Sequence, residues 1–163
     1  MFHVVLYQPE IPPNTGNIIR LCANTGAALH LIHPLGFSLD DKRLRRAGLD
    51  YHEWTRVREY PSLASFLAEI SPARLFGLTA RAACCYSEAK FEKGDAFLFG
   101  PETRGLPACV LETLSQERRL RIPMVSGGRS LNLSNAVAIV CYEAWRQANF
   151  LNCAPKNIVR ACA

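Results

Sequence analysis

The chain has 163 residues, 49% hydrophobic and 20% charged, with a formal net charge of +5 and a mean hydropathy of +0.01. That length suits one domain and hardly two, and the composition excludes disordered, collagen-like and mucin-like chains. No run approaches the roughly 18 apolar residues of a membrane span, and Met1 to Pro9 has neither a basic n-region nor a small-residue cleavage site. A cytoplasmic protein with no membrane partner is expected.

Residues 2–8 alternate and are rich in Val, Leu and Tyr, which predicts a strand. Pro9 and Pro12-Pro13 break it, and Asn14 is the expected N-cap of a helix running to about Ala27. Ala28 to His33 reads as a second strand, ended by Pro34 and Gly36. Asp40 to Ala47 fits a short helix with an acidic start and a basic end, favourable to its dipole. Trp54 to Val57 reads as a strand and Pro61 to Ile70 as a helix. Arg74 to Thr79 and Asp95 to Phe99 are apolar strands, the second buried on both faces by its pattern. Pro107 to Leu114 predicts a helix with proline in its first turn, and Arg119 to Ile122 another strand. Leu133 to Ala148 is a helix apolar on nearly every side, hence buried or partly an interface. Strands alternating with helices predict an α/β fold, a mostly parallel sheet with flanking helices, over residues 1–150. Residues 151–163 read as a loose tail.

Seven cysteines do not make a disulfide scaffold here: the count is odd, and Cys22, Cys109 and Cys141 lie in apolar stretches where cysteine acts as a small hydrophobe. Cys84 and Cys85 are adjacent, and no C-x-x-C pair seeds a zinc site. His3, His30, His33 and His52 show no ligand spacing, so no metal is expected. Positive charge concentrates in Lys42, Arg43, Arg45, Arg46, Arg56 and Arg58, and again in Arg118, Arg119 and Arg121. Such stripes suit phosphate contacts, or equally a solvated face pairing with Asp40, Asp41, Asp50 and Glu53.

Dinucleotide, P-loop, H-E-x-x-H and G-x-S-x-G motifs are all missing, and the S-x-x-K at Ser87 to Lys90 lacks its K-T-G companion. Three segments stand apart from ordinary structure. Asn14-Thr15-Gly16-Asn17-Ile18-Ile19-Arg20 opens the first helix. Phe99-Gly100-Pro101-Glu102-Thr103-Arg104-Gly105-Leu106-Pro107 directly follows a buried strand, where α/β proteins bind ligands. Ile122-Pro123-Met124 and Arg129-Ser130-Leu131-Asn132-Leu133-Ser134-Asn135 lead into the last helix.

In this order, those segments resemble the three motifs of the SPOUT superfamily of RNA methyltransferases. Within it, the chain is similar to the small single-domain subfamily that 2′-O-methylates the wobble cytidine or uridine of tRNA. Leu39 to Tyr51 and Tyr142-Glu143-Ala144-Trp145-Arg146 share that likeness, which spans about residues 1–148, whereas Val125-Ser126-Gly127-Gly128 does not. The resemblance implies a deep C-terminal trefoil knot, which periodicity does not reveal. It implies S-adenosylmethionine held by Leu78, Thr79, Gly100, Glu102, Gly105, Ile122, Met124, Ser130 and Leu131. It assigns the central catalytic role to Arg20, with Ser130, Asn132, Tyr142 and Glu102 around the reacting groups. Asn14, Arg20, Lys42, Arg43, Arg45 and Arg46 are the expected tRNA contacts, and a homodimer is implied. Two alternatives stay open: a ribosomal-RNA 2′-O-methyltransferase of the same superfamily, and a non-catalytic RNA-binding module on the same fold.

Overall fold

A computed structural model describes residues 1–38 and 57–153 of the chain. Among these residues seven strands form one sheet, β1 (His3–Tyr7), β2 (Ala28–Ile32), β3 (Val57–Tyr60), β4 (Arg74–Leu78), β5 (Cys84–Cys85), β6 (Asp95–Phe99) and β7 (Arg119–Arg121). Their order is β3-β2-β1-β6-β4-β7-β5, and every neighbouring pair is parallel. Among the described residues four helices flank it: α1 (Pro12–Thr25), α2 (Leu63–Ile70), α3 (Ala108–Glu112) and α4 (Leu133–Gln147). The expected α/β architecture is therefore present. The expected helix at Asp40 to Ala47, residues 54–56 of the expected strand, and most of the tail lie outside the described residues.

Alternation along the central strands builds a core on each face of the sheet. Val4 and Leu6 of β1 and Phe97 and Phe99 of β6 pack with Ile18, Ile19 and Cys22 of α1 and Val137, Val140 and Cys141 of α4. Val5, Ala96 and Leu98 point the other way, onto Phe66 of α2 and Leu106 and Leu114 beside α3. All five residues of β6 are buried, as the unbroken apolar run requires.

Several boundaries differ from expectation, each for a local reason. Helix α1 begins at Pro12, with Ile11 in the N-cap position, so Asn14 lies inside the first turn and is not the cap. Proline lacks an N–H that the first turn would leave unpaired, so Pro12 and Pro13 open the helix and do not block it. The helix stops at Gly26, whose φ of 75° is left-handed. Ser62 caps α2 by accepting from the Ser65 N–H at 3.1 Å, so that helix starts two residues after Pro61. Pro107 stands at the N-cap of α3, which ends at Glu112. The β5 strand, two residues long, carries no period from which to read it.

Helix α4 is also not apolar all round. Leu133, Val137, Val140, Cys141 and Ala144 form its buried stripe, while Tyr142 is exposed. Asn132 caps its start by accepting from the Ser134 N–H at 2.9 Å. At its other end, Gln147 accepts from the Phe91 N–H at 2.8 Å and donates to the Ala89 carbonyl at 3.0 Å, tying α4 to the chain leading into β6. Cys22 and Cys141 are buried, and burial pushes both thiols up, Cys141 to about 11, so neither forms a reactive thiolate. Cys109, in a stretch expected to be apolar, is exposed on α3, a helix with no buried residue. Among the described residues no helix is long and apolar enough to cross a membrane, and no group of three His, Cys, Asp or Glu side chains is placed to hold a metal.

Candidate active site

A cleft of about 600 Å³ opens at the carboxyl ends of β4, β6 and β7, lined by Leu78, Phe99 and Ile122 from the strand ends and by the loops that follow them. This is the end of a parallel sheet where ligands bind, and the volume suits a nucleoside-sized molecule. The loop after β6 has a conformation that its glycines make possible. A Cβ added at Gly100 would lie 2.2 Å from the Gly105 carbonyl carbon and from the Leu106 nitrogen, because the loop folds back against its own start. The Gly105 N–H donates to the Pro101 carbonyl at 2.9 Å to close that turn, with φ of +68° at Gly105.

This loop is locked to the one after β1 from both sides. The Glu102 carboxylate accepts from the backbone N–H of Glu10 at 2.8 Å and of Ile11 at 3.3 Å, and from Asn14 Nδ2 at 3.0 Å. Reciprocally, the Glu10 carboxylate accepts from the Thr103 hydroxyl at 2.7 Å and its N–H at 3.1 Å, and the Thr103 hydroxyl holds Glu10 below its ordinary pKa. Arg104 donates to Gln8 Oε1 at 2.9 Å. Glu102 thereby satisfies N–H groups at the start of α1, the helix whose N-cap residue Ile11 has no side-chain acceptor. Asn132 Nδ2 donates to Asn14 Oδ1 at 2.8 Å, which ties the third motif to the first two.

The structure brings Asn14, Leu78, Thr79, Gly100, Glu102, Gly105, Ile122, Met124, Ser130, Leu131 and Asn132 to this one cleft. Arg20 and Tyr142 do not line it: Arg20 is on the exposed side of α1, and Tyr142 packs against Trp145 with ring centroids 5.7 Å apart. Lys42, Arg43, Arg45 and Arg46 lie outside the described residues. Two arginines of the second basic cluster are used within the fold. Arg119 donates twice to the Leu114 carbonyl, at 3.0 and 2.7 Å, and Arg121 donates to the Ala83 carbonyl at 3.4 Å. Sequence reasoning missed Arg81, which lines the cleft beside Thr79; its position just beyond the carboxyl end of β4 was the available signal. A second depression, of about 580 Å³, surrounds the 2.8 Å contact of His33 with Glu59 and touches none of these loops.

The cleft suits an adenosyl sulfonium. Leu78, Phe99, Ile122, Met124 and Leu131 offer apolar walls, and the backbone of the tight 100–105 turn offers hydrogen-bonding groups. The cleft-lining carboxylate, Glu102, is engaged by the start of α1.

The SpoU rRNA Methylase family model matches residues 1–142. The tRNA (cytidine(34)-2'-O)-methyltransferase of Escherichia coli K12 is 59% identical over 150 residues, covering 92% of this chain and 96% of its own. A solved structure concerned with the 2-OH methylation of C/U34 on tRNA has a TM-score of 0.84 at 48% identity, covering 91% of this chain and 97% of that one. A SpoU methyltransferase from Streptomyces viridochromogenes, solved in complex with S-adenosylmethionine, shares the fold at TM-score 0.78 and 24% identity, over 90% of this chain and 57% of its own. With the family model covering most of its length and its three loops meeting at one cleft, the chain belongs to the SpoU rRNA methylase family.

Proposed function

We propose that this protein transfers a methyl group from S-adenosylmethionine to the ribose 2′-hydroxyl of the wobble cytidine or uridine of tRNA. The observation that carries the reading is the convergence of all three motif segments on one cleft at the carboxyl ends of β4, β6 and β7, in a chain 59% identical to an enzyme of that name. When bound, S-adenosylmethionine supplies a methyl group already activated as a sulfonium, so the protein's task is to place the hydroxyl and manage one proton. Leu78, Ile122, Met124 and Leu131 wall the cofactor, and the 100–105 backbone reads its polar edge.

Arg20 holds the neighbouring phosphate and stabilises the developing alkoxide. A guanidinium holds its proton too tightly to act as a base. Because Arg20 stands outside its own cleft, the reading includes a homodimer in which it faces the partner's cofactor. Ser130, Asn132 and Tyr142 orient ribose or Arg20 in this scheme, and Lys42, Arg43, Arg45 and Arg46 hold the tRNA backbone. The trefoil knot and a cytoplasmic location belong to the same reading.

Methyl transfer from labelled S-adenosylmethionine to wobble-unmodified tRNA, followed by nuclease mapping, tests it. Label at the wobble ribose that disappears in Arg20→Ala is expected. Label on ribosomal RNA alone would overturn the substrate, and failure to bind S-adenosylmethionine would overturn the enzyme.

A further inference from the structure

Four side chains around the cleft form one hydrogen-bond chain with a single direction. Ser134 donates from its N–H at 2.9 Å and its hydroxyl at 2.6 Å to Asn132 Oδ1. Asn132 Nδ2 donates to Asn14 Oδ1 at 2.8 Å, and Asn14 Nδ2 donates to Glu102 Oε1 at 3.0 Å. An ionised carboxylate only accepts, so Glu102 dictates which end of the Asn14 amide faces it. The Asn14 oxygen is then turned toward Asn132, whose NH₂ must face back, leaving the Asn132 oxygen to cap α4. Both ends of the chain are helix starts: Glu102 serves α1, and Asn132 serves α4.

Asn14 is only 6% exposed, and both ends of its amide are occupied. At the cleft edge it is thus engaged by the protein at both ends and offers little surface to a phosphate or a base. Ser130 and Leu131, by contrast, are exposed cleft residues directly before Asn132, in a segment without regular structure.

We propose that Asn14 is a positioning residue that fixes the amide of Asn132, and with it the 130–132 wall of the cleft, and that it does not contact RNA. The inference rests on the methyltransferase reading of that cleft. It replaces the expected assignment of Asn14 to tRNA binding.

Reversing the link between positions 14 and 102 tests this. In Asn14→Asp the new carboxylate cannot donate to Glu102 and faces it as a like charge. In the double variant Asn14→Asp/Glu102→Gln, the introduced amide donates to the introduced carboxylate while its oxygen still accepts the Glu10 N–H, so the 14–102 link is restored with the opposite polarity and position 14 still accepts from Asn132. Three quantities are read on the full-length protein: amide exchange of residues 130–136 without cofactor, calorimetric affinity for S-adenosylhomocysteine, and tRNA affinity without cofactor. Asn14→Asp is expected to speed exchange and weaken S-adenosylhomocysteine by about tenfold, with tRNA affinity within about twofold of the parent. The double variant is expected to recover most of both losses. Asn132→Ala should weaken S-adenosylhomocysteine to a similar extent and add little when combined with Asn14→Ala, as for two members of one network.

Unchanged exchange and S-adenosylhomocysteine affinity with weakened tRNA binding would overturn the proposal and return Asn14 to the RNA contacts. Additive losses in Asn14→Ala/Asn132→Ala would overturn it as well. If the parent protein bound no S-adenosylhomocysteine, the methyltransferase reading would fall, while the exchange measurement would still decide whether Asn14 holds the 130–132 segment.

Discussion

At the amino ends of the strands, Asp95 of β6 is fully buried and its carboxylate takes a two-pronged contact from Arg74 of β4, Nε to Oδ1 at 2.9 Å and Nη2 to Oδ2 at 2.7 Å. The Glu92 N–H adds a third bond at 2.7 Å, and the guanidinium lies 5.3 Å from the Phe76 ring centroid. At the carboxyl ends, Glu102 also takes three donors, yet it stands in a loop at the edge of a cleft. The chemistry is nearly the same and the outcome is different. Asp95 joins paired positions of two adjacent strands and closes that end, whereas Glu102 joins two loops and holds a gap open between others. One carboxylate therefore serves stability, the other shape.

Substitutions should separate the two ends. The largest stability loss is expected for Asp95→Ala, about 3 kcal/mol in urea denaturation, because it removes the two-pronged partner of Arg74, leaving it the Lys90 carbonyl and Glu92, and takes the acceptor from the Glu92 N–H. Arg74 retains access to water, which keeps the loss at the lower end for a broken buried pair. S-adenosylhomocysteine affinity per folded molecule should be unchanged; a proportional loss of both would erase the contrast between the ends.

Gly100→Ala should do the reverse. The added Cβ would meet backbone at 2.2 Å, displacing the loop and lowering methyl transfer by about 100-fold or more, while the sheet's circular dichroism persists. Gly105→Ala has open space around its Cβ and suffers only from its positive φ, so its effect should be much smaller. Equal effects of the two would show that the turn, and not the close approach, governs the cleft.

The amino end should also dominate acid sensitivity. His30 is buried with its Nδ1 unpartnered among the described residues, and its Nε2 lies 3.0 Å from His3 Nδ1. Burial lowers its pKa to about 3, with smaller contributions from His3 and Arg58; the rings of Tyr60 and Phe66 complete its surroundings. The unfolded chain protonates this imidazole below about 6.5 and the folded one does not, so stability is full above that pH and falls as pH drops toward 3. The slope for one such histidine is at most about 1.4 kcal/mol per pH unit. His30→Leu should flatten most of it between pH 6.5 and 5, part of the remainder coming from His3, which burial also lowers. A slope untouched by that substitution would place the acid sensitivity elsewhere.

The smallest effect is expected for Arg119→Met, about 1 kcal/mol from the lost contacts to the Leu114 carbonyl. The salt dependence of tRNA binding should not change, and a shallower slope would return that arginine to the RNA surface.

The strands were legible wherever period and burial coincide: the Ala-Phe-Leu-Phe run of β6 predicts a doubly covered strand, and its five buried residues agree. The start of α1 was not, because its effective cap, Glu102, sits 88 residues from Asn14 in the chain and no local rule reaches it. The basic cluster at Arg118 to Arg121 misleads for a related reason, since the partner of Arg119 is a backbone carbonyl, which no charge count reveals. At the cleft, the three motif segments were visible through resemblance, and the structure adds which of their residues meet. The reciprocal locking of Glu10 with Thr103 and of Gln8 with Arg104 was beyond reach, because nothing in either pair's spacing distinguishes it from an exposed polar surface.

The path from β7 to α4 is pinned at both ends, by strand pairing before it and by the Asn132 cap after it. Between the pins, Val125 to Gly128 forms an exposed turn closed by the Gly128 N–H on the Val125 carbonyl at 3.1 Å, with Gly127 at φ +78°. Extra residues inserted there would leave both anchors in place, and doubling a loop's length costs only about 0.6 kcal/mol of closure entropy. The four residues that resemble no motif thus lie between the cleft-lining Met124 and Ser130 without lining the cleft themselves, making this turn the natural place to graft a peptide or a label beside it.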